Sequence, residues 1–240
     1  MLNLPKSLLA ALLLDTIAFP VYADDHVVVQ RARSGMGIRF PQTVTEVWIS
    51  DSATCVNAGR FVTIERYDLR KRWRLAPQKK QYFEEPLVSS KKKNVEIDTS
   101  IQRKGWEYEP AYEWLVTESQ RQDVVNGFHC SLMIVDGDAD YSTDSLEIWL
   151  TDEVPIDIKR FNERMVSASV YFDWRKVVPA GPSLKKSFIM KCLDKQIPPI
   201  GAEMISESQV KTVENGTPPS NIYEIPEGFQ KVGSSEELMR

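Results

Sequence analysis

The sequence predicts an α+β protein: a long, strongly curved antiparallel β-sheet with two helices covering its concave face. Three observations lead there. From His26 to Leu150 apolar residues recur mostly with period two, broken by short turn signals. After Pro155 the apolar period lengthens to that of a helix. Alternation then returns beyond Gly201, so helices sit between strands, which is an α+β order. A sheet this long curls, and its apolar inner face needs a cover.

The strand series opens with "HVVVQRARSG". "TVTEVWISD" places Val44, Glu46, Trp48 and Ser50 on one face and Thr45, Val47 and Ile49 on the other. A turn at Asn57–Gly59 leads to "RFVTIERYD". In "KRWRLAP", Trp73 and Leu75 point one way and Arg72 and Arg74 the other; Pro77 then turns the chain into "KQYFEE". The stretch Arg66 to Glu85 is rich in Lys and Arg, with Tyr67, Trp73, Tyr82 and Phe83 interleaved. It reads as a solvated hairpin rather than a nucleic-acid surface, because Asp68, Glu84 and Glu85 dilute the charge. Residues 88–98 form a polar loop, and "GWEYEPAYEWLVTES", broken by Pro110, "GFHCSLMIV" and "SLEIWLT" continue the sheet.

Asp157 is placed to cap a helix carrying Phe161, Met165, Ala168 and Phe172 on one stripe and Val166, Val170, Trp174 and Val177 on the next. "SLKKSFIMKCLDKQ" suggests a second amphipathic helix. Strands return at "AEMISESQVKTVEN" and "NIYEIPEGFQKV", and the tail from 233 is expected to fray.

The chain has 240 residues, 42% of them hydrophobic and 27% charged, with a formal net charge of −4. That balance is globular and gives no global attraction for nucleic acid. Residues 1–23 carry a Lys, an apolar run and Val21 and Ala23 before the expected cleavage point, the pattern of a signal peptide. Residues 24–240 then form one exported domain, periplasmic or secreted, with no transmembrane span. Export makes a disulfide feasible among Cys55, Cys130 and Cys192. Three pairings are open, as is a state with three thiols. The inward phase of Cys130 and Cys192 favours that pair.

The segments "EVWISD", "RWRLAPQKKQYFEE", "NGFHC", "SLEIWLTDEVP" and "YEIPEGFQKV" resemble the LolA-like exported proteins, nearest to relatives of unknown function. The resemblance spans roughly Val27 to Val232. It implies a half-open sheet, an unclosed barrel with a helical plug, whose apolar hollow in several members carries lipids or lipoproteins. It implies no catalytic residues.

Asp136, Asp138, Asp140, Asp144 and Glu147 match positions 1, 3, 5, 9 and 12 of a calcium-loop template. Tyr141 stands where the template needs Gly, so an acidic hairpin tip is the better reading. There is no G-x-S-x-G elbow, and the histidines are only His26 and His129. No enzyme, cofactor or metal site is expected. Trp48, Trp149, Phe161, Met165 and Phe172 are the residues expected to line a hollow. The function they suggest is carriage or sensing of a lipid, acyl chain or lipidated protein. The alternative is an interaction module of a cell-envelope complex, docking a partner protein by a strand edge or by charge.

Overall fold

The computed structural model describes residues 23–87, 113–139, 142–168, 186–198 and 201–239. The expected signal peptide, the polar loop at 88–98 and Phe172 therefore lie outside the described residues.

The first half of the chain forms β1 (Asp24–Gly35), β2 (Ile38–Arg39), β3 (Thr43–Ile49), β4 (Ala53–Asn57), β5 (Val62–Arg66), β6 (Lys71–Ala76) and β7 (Gln81–Pro86). Then come β8 (Glu113–Val125), β9 (Phe128–Ala139), β10 (Ser142–Thr151) and helix α1 (Ile158–Ala168). The chain closes with β11 (Phe188–Ile197), β12 (Met204–Gly216), β13 (Gln230–Lys231) and helix α2 (Ser235–Met239). All the strands belong to one sheet, in the order β13-β7-β6-β5-β4-β3-β1-β12-β11-β10-β9-β8, with β2 pairing β1. Every pairing is antiparallel except β13 with β7. The two end strands do not pair with each other, so the described sheet is open. Register shifts at Val28/Val29, Glu118/Gln122 and Trp149/Leu150 break the ladder, as bulges do where strands bend.

Period-two alternation gives the sheet two apolar faces. Val27, Val29, Val47, Ile49 and Val56 lie on the inner face and share one core with Phe161 and Met165 of α1. Trp48, Cys55, Ile64, Trp73 and Leu75 take the opposite phase and form a second core with Ile222, Tyr223, Ile225 and Phe229. Asp157 caps α1 as expected: its Oδ1 accepts from the Arg160 backbone N–H at 2.9 Å.

Three expectations change. The second helix is strand β11. Its apolar cluster Phe188, Ile189, Met190 and Cys192 suits a buried strand as well as a helix, and β11 completes ladders with both β10 and β12. Of the helices expected over the concave face, the described residues contain α1 alone. The tail from 233 does not fray: Leu238 of α2 is buried against Ala76 and Val232. The segment "NIYEIPEGFQKV" runs mostly as turns over the outer face and enters the sheet for only Gln230 and Lys231.

Candidate functional site: a cleft at the open end of the inner face

Of the expected hollow-lining residues, Trp149, Phe161 and Met165 share one buried cluster, whereas Trp48 lies in another. Phe161 and Met165 are fully buried, and Phe161 packs edge-on against Phe188 with ring centroids 5.0 Å apart. Trp48 lies on the other face of the sheet, stacked on His26 at 4.0 Å, with its Nε1–H donating to Glu46 at 3.0 Å. Trp149 takes the phase opposite Ile148, and the Arg121 guanidinium lies 5.2 Å from its ring centroid. Sequence alternation already separated Trp48 from Val47 and Ile49. Grouping it with the helical stripe put residue type above phase.

A cleft of about 310 Å³ lies where α1 and α2 approach β4, β5 and β6, lined by Val56, Phe61, Arg72, Arg164 and Leu238 among others. Its charged residues are tied to one another. Buried Glu65 accepts from the Arg72 Nε–H at 2.8 Å and from the Tyr67 hydroxyl at 2.6 Å. Arg164 covers the Tyr67 ring at 3.3 Å. Burial and then Glu65 push the Tyr67 hydroxyl up to about 12.

A larger cleft, about 660 Å³, opens at the other end of the inner face. The ladder builds it in rows. Thr43, Arg31, Ser208 and Cys192 are consecutive cross-strand partners on the inner phase. Arg33, Ser206 and Asp194 form the next row outward, with Phe40 held beside them by its backbone N–H donating to the Arg33 carbonyl at 2.9 Å. Ile38, Gly35, Met204 and Gln196 form the outermost row. Gly35 lets Met204 pack close, since a Cβ would stand 3.1 Å from Met204 Cγ and push that side chain aside by a few tenths of an ångström. Moving outward, the inner face therefore passes from the apolar core to a polar shelf and then to an apolar rim. Arg31 donates from Nε to Ser206 Oγ at 3.0 Å, and Phe40 and Met204 are 53% and 50% exposed. The alternation of β1 hinted at this cleft, since Arg31 and Arg33 continue the phase of Val27 and Val29.

The basic hairpin is neutralised as its acidic residues suggested. Arg66 pairs with Asp68 and Glu224, Lys71 with Glu84, Arg72 with Glu65 and Glu85, and Arg74 with Glu85. The calcium-template residues divide between faces. Asp144 lies opposite Gly137 and is buried, whereas Asp136 and Glu147 take the other phase. Asp140 lies outside the described residues. Among the described residues no cluster of His, Cys, Asp or Glu could hold a metal. No disulfide joins the cysteines, and all three are buried thiols. Cys192 on β11 lies level with Met133 of β9 through Ile148, so Cys130 is two strands across and three residues along from it, well beyond the roughly 7 Å a disulfide tolerates. The paired inward phase suggested the bridge; the intervening strand prevents it. No described helix is long and apolar enough to cross a membrane.

No family model and no curated protein matches the chain. Solved structures similar to it include a LolA superfamily protein from Nitrosomonas europaea, 9% identical, covering 85% of this chain and 91% of its own, with a TM-score of 0.29. Another is a DUF1329 family protein from Desulfovibrio piger, 10% identical, covering 88% of this chain and 93% of its own, with a TM-score of 0.28.

Proposed function

We propose that the protein is an exported, periplasmic or secreted binding protein that carries or senses an amphiphile, a lipid or the acyl chain of a lipidated protein. The observation that carries this reading is the graded wall of the larger cleft: Phe40 and Met204 at the rim, Arg31 and Arg33 on the shelf below. An acyl chain against the rim would gain about 25 cal/mol per Å² of apolar area buried. The arginines would take an anionic headgroup by charge-assisted hydrogen bonds. The volume, about 660 Å³, suits a small amphiphile. Export rests on the pattern of residues 1–23.

The test is titration of the delipidated protein with a fluorescent fatty-acid analogue. Saturable binding, weakened by Arg33→Gln, is the expected result; no saturable binding by folded wild type overturns simple acyl carriage. The second reading, docking to an envelope protein, is favoured by one feature. Strand β8 ends the sheet with 13 residues, and Leu115 and Val124 on it are 65% and 56% exposed. Such an edge can accept a partner strand.

A further inference from the structure

We propose that the β1–β2 hairpin tip docks the protein on an anionic lipid bilayer, with Met36 and Ile38 entering the acyl region and Arg33 and Arg39 meeting the headgroups. The ladder Ser34↔Arg39 and Gly35↔Ile38 leaves a two-residue turn, Met36-Gly37, with φ of 53° and 74°. Two left-handed residues in succession favour Asn-Gly or Gly-Gly. This chain follows that preference at its β8–β9 hairpin, where Asn126-Gly127 has φ of 52° and 89°. At the β1–β2 tip a methionine occupies the strained position instead, and its side chain is 74% exposed. Neither turn conformation nor packing accounts for that choice. Ile38 is 59% exposed beside it, and Phe40, Met204 and Ile197 are 53%, 50% and 52% exposed at the same end of the sheet.

Charge selects the partner. The tip "RSGMGIR" carries Arg33 and Arg39 and no carboxylate, against a net charge of −4 for the chain. Among the described residues, the carboxylates that register and sequence bring near the tip are Glu203, just before Met204, Glu207 opposite Ala32, and Asp194 inside the cleft. A two-residue turn is too narrow for an ordinary protein interface, which buries about 800 Å² per partner. A bilayer needs only apolar side chains inserted about 5–10 Å, with basic residues at the headgroups. Met36 and Arg39 do not line the cleft, whereas Arg33 does, so the two surfaces share one arginine and Met36 is the residue that separates them.

The experiment is co-sedimentation of the exported protein with vesicles of phosphatidylglycerol and phosphatidylcholine, and with phosphatidylcholine alone. Wild type should bind the anionic vesicles, more weakly as salt rises. Met36→Asn and Ile38→Thr should each weaken that binding about tenfold, and Arg33→Gln/Arg39→Gln should remove the preference for anionic vesicles. Met36→Asn places the favoured residue in the turn, so it should melt no lower than wild type; lost binding then cannot be lost folding. Its affinity for the fatty-acid analogue should be unchanged, which separates this surface from the cleft. Wild type that ignores anionic vesicles, or Met36→Asn that binds them equally, overturns the proposal. So does capture of an envelope protein through the tip without any vesicle binding.

Discussion

Arg160 on α1 reaches the first strand: its Nη2 lies 2.8 Å from Oδ2 of Asp25, a residue only 1% exposed. The same guanidinium donates from Nε to Asp25 and from Nη1 to Asp51. The bond fixes the start of the helix over the inner face. Removing Arg160 leaves a buried carboxylate uncompensated. Arg160→Ala should therefore cost about 3–5 kcal/mol in urea denaturation, and Asp25→Asn in the same chain should recover much of it. Burial raises the Asp25 carboxyl above its ordinary value, with Arg160 opposing. The folded state thus holds the proton more tightly than the unfolded state. This group's contribution to stability is full below the unfolded pKa and declines as pH rises through the folded one. Asp25→Asn should abolish that portion of the pH dependence.

Glu84 behaves oppositely. The Trp73 indole N–H, Lys231 and Lys71 converge on its carboxylate at 2.9, 3.0 and 3.3 Å. They hold its pKa at about 2 instead of 4.5. Its stabilising contribution is present above about 4.5 and lost as pH falls toward about 2. Glu84→Gln should flatten the acid limb of the stability curve and, through Lys231, loosen β13. Thermal melts at stepped pH would show both variants departing from wild type as pH rises, with opposite sign: Asp25→Asn relatively more stable, Glu84→Gln less.

The thiols should be silent in the native protein. Burial, then Glu46, pushes Cys55 up to about 12, and burial raises Cys130. Since the thiolate is the reactive form, a thiol reagent at neutral pH should label almost nothing until the chain is unfolded. It should then label all three cysteines. A disulfide-linked peptide in a non-reducing digest would contradict the strand spacing between Cys130 and Cys192.

Calcium should not bind tightly. The inward phase of Asp144 removes it from Asp136 and Glu147, so no shared oxygen cage can form without breaking the β9–β10 ladder. Calorimetric titration should give no micromolar heat, and Asp136→Asn should leave the melting temperature unchanged on adding Ca²⁺.

What the sequence disclosed depended on which signal was local. The described strands between Val27 and Leu150 were legible because alternation and turn residues act over a few neighbours, and the Asp157 cap is likewise local. Strand β11 was not. "FIMKC" is a short apolar run whose period is ambiguous, and only its partners β10 and β12 decide it. The cleft was hidden for a related reason. Arg33, Ser206 and Asp194 are far apart in the chain and meet only through register. Leu238 looked like part of a frayed end because its partners, Ala76 and Val232, are brought to it by the β6–β7 hairpin and β13.

The last prediction separates the rim of the cleft from the outer core. Phe40 and Met204 are half exposed, so replacing either with Ser removes little buried area. Each change should cost under about 0.5 kcal/mol of stability. If the rim holds an acyl chain, however, each should weaken the fatty-acid analogue several-fold. Trp48 should do the reverse. It is 7% exposed, stacks on His26, and its ring comes within 3.6 Å of where a Gly216 Cβ would stand. Trp48→Ala opens a cavity beneath Ile222 to Phe229 and should cost about 3–5 kcal/mol. Because Trp48 faces away from the cleft, the protein that still folds should bind the analogue as tightly as wild type. Equilibrium titrations on all three variants, each beside its own urea melt, supply the comparison. A Trp48 variant with intact stability and lost binding would move the site to the outer face. Rim variants with unchanged affinity would remove the cleft from the carrier reading.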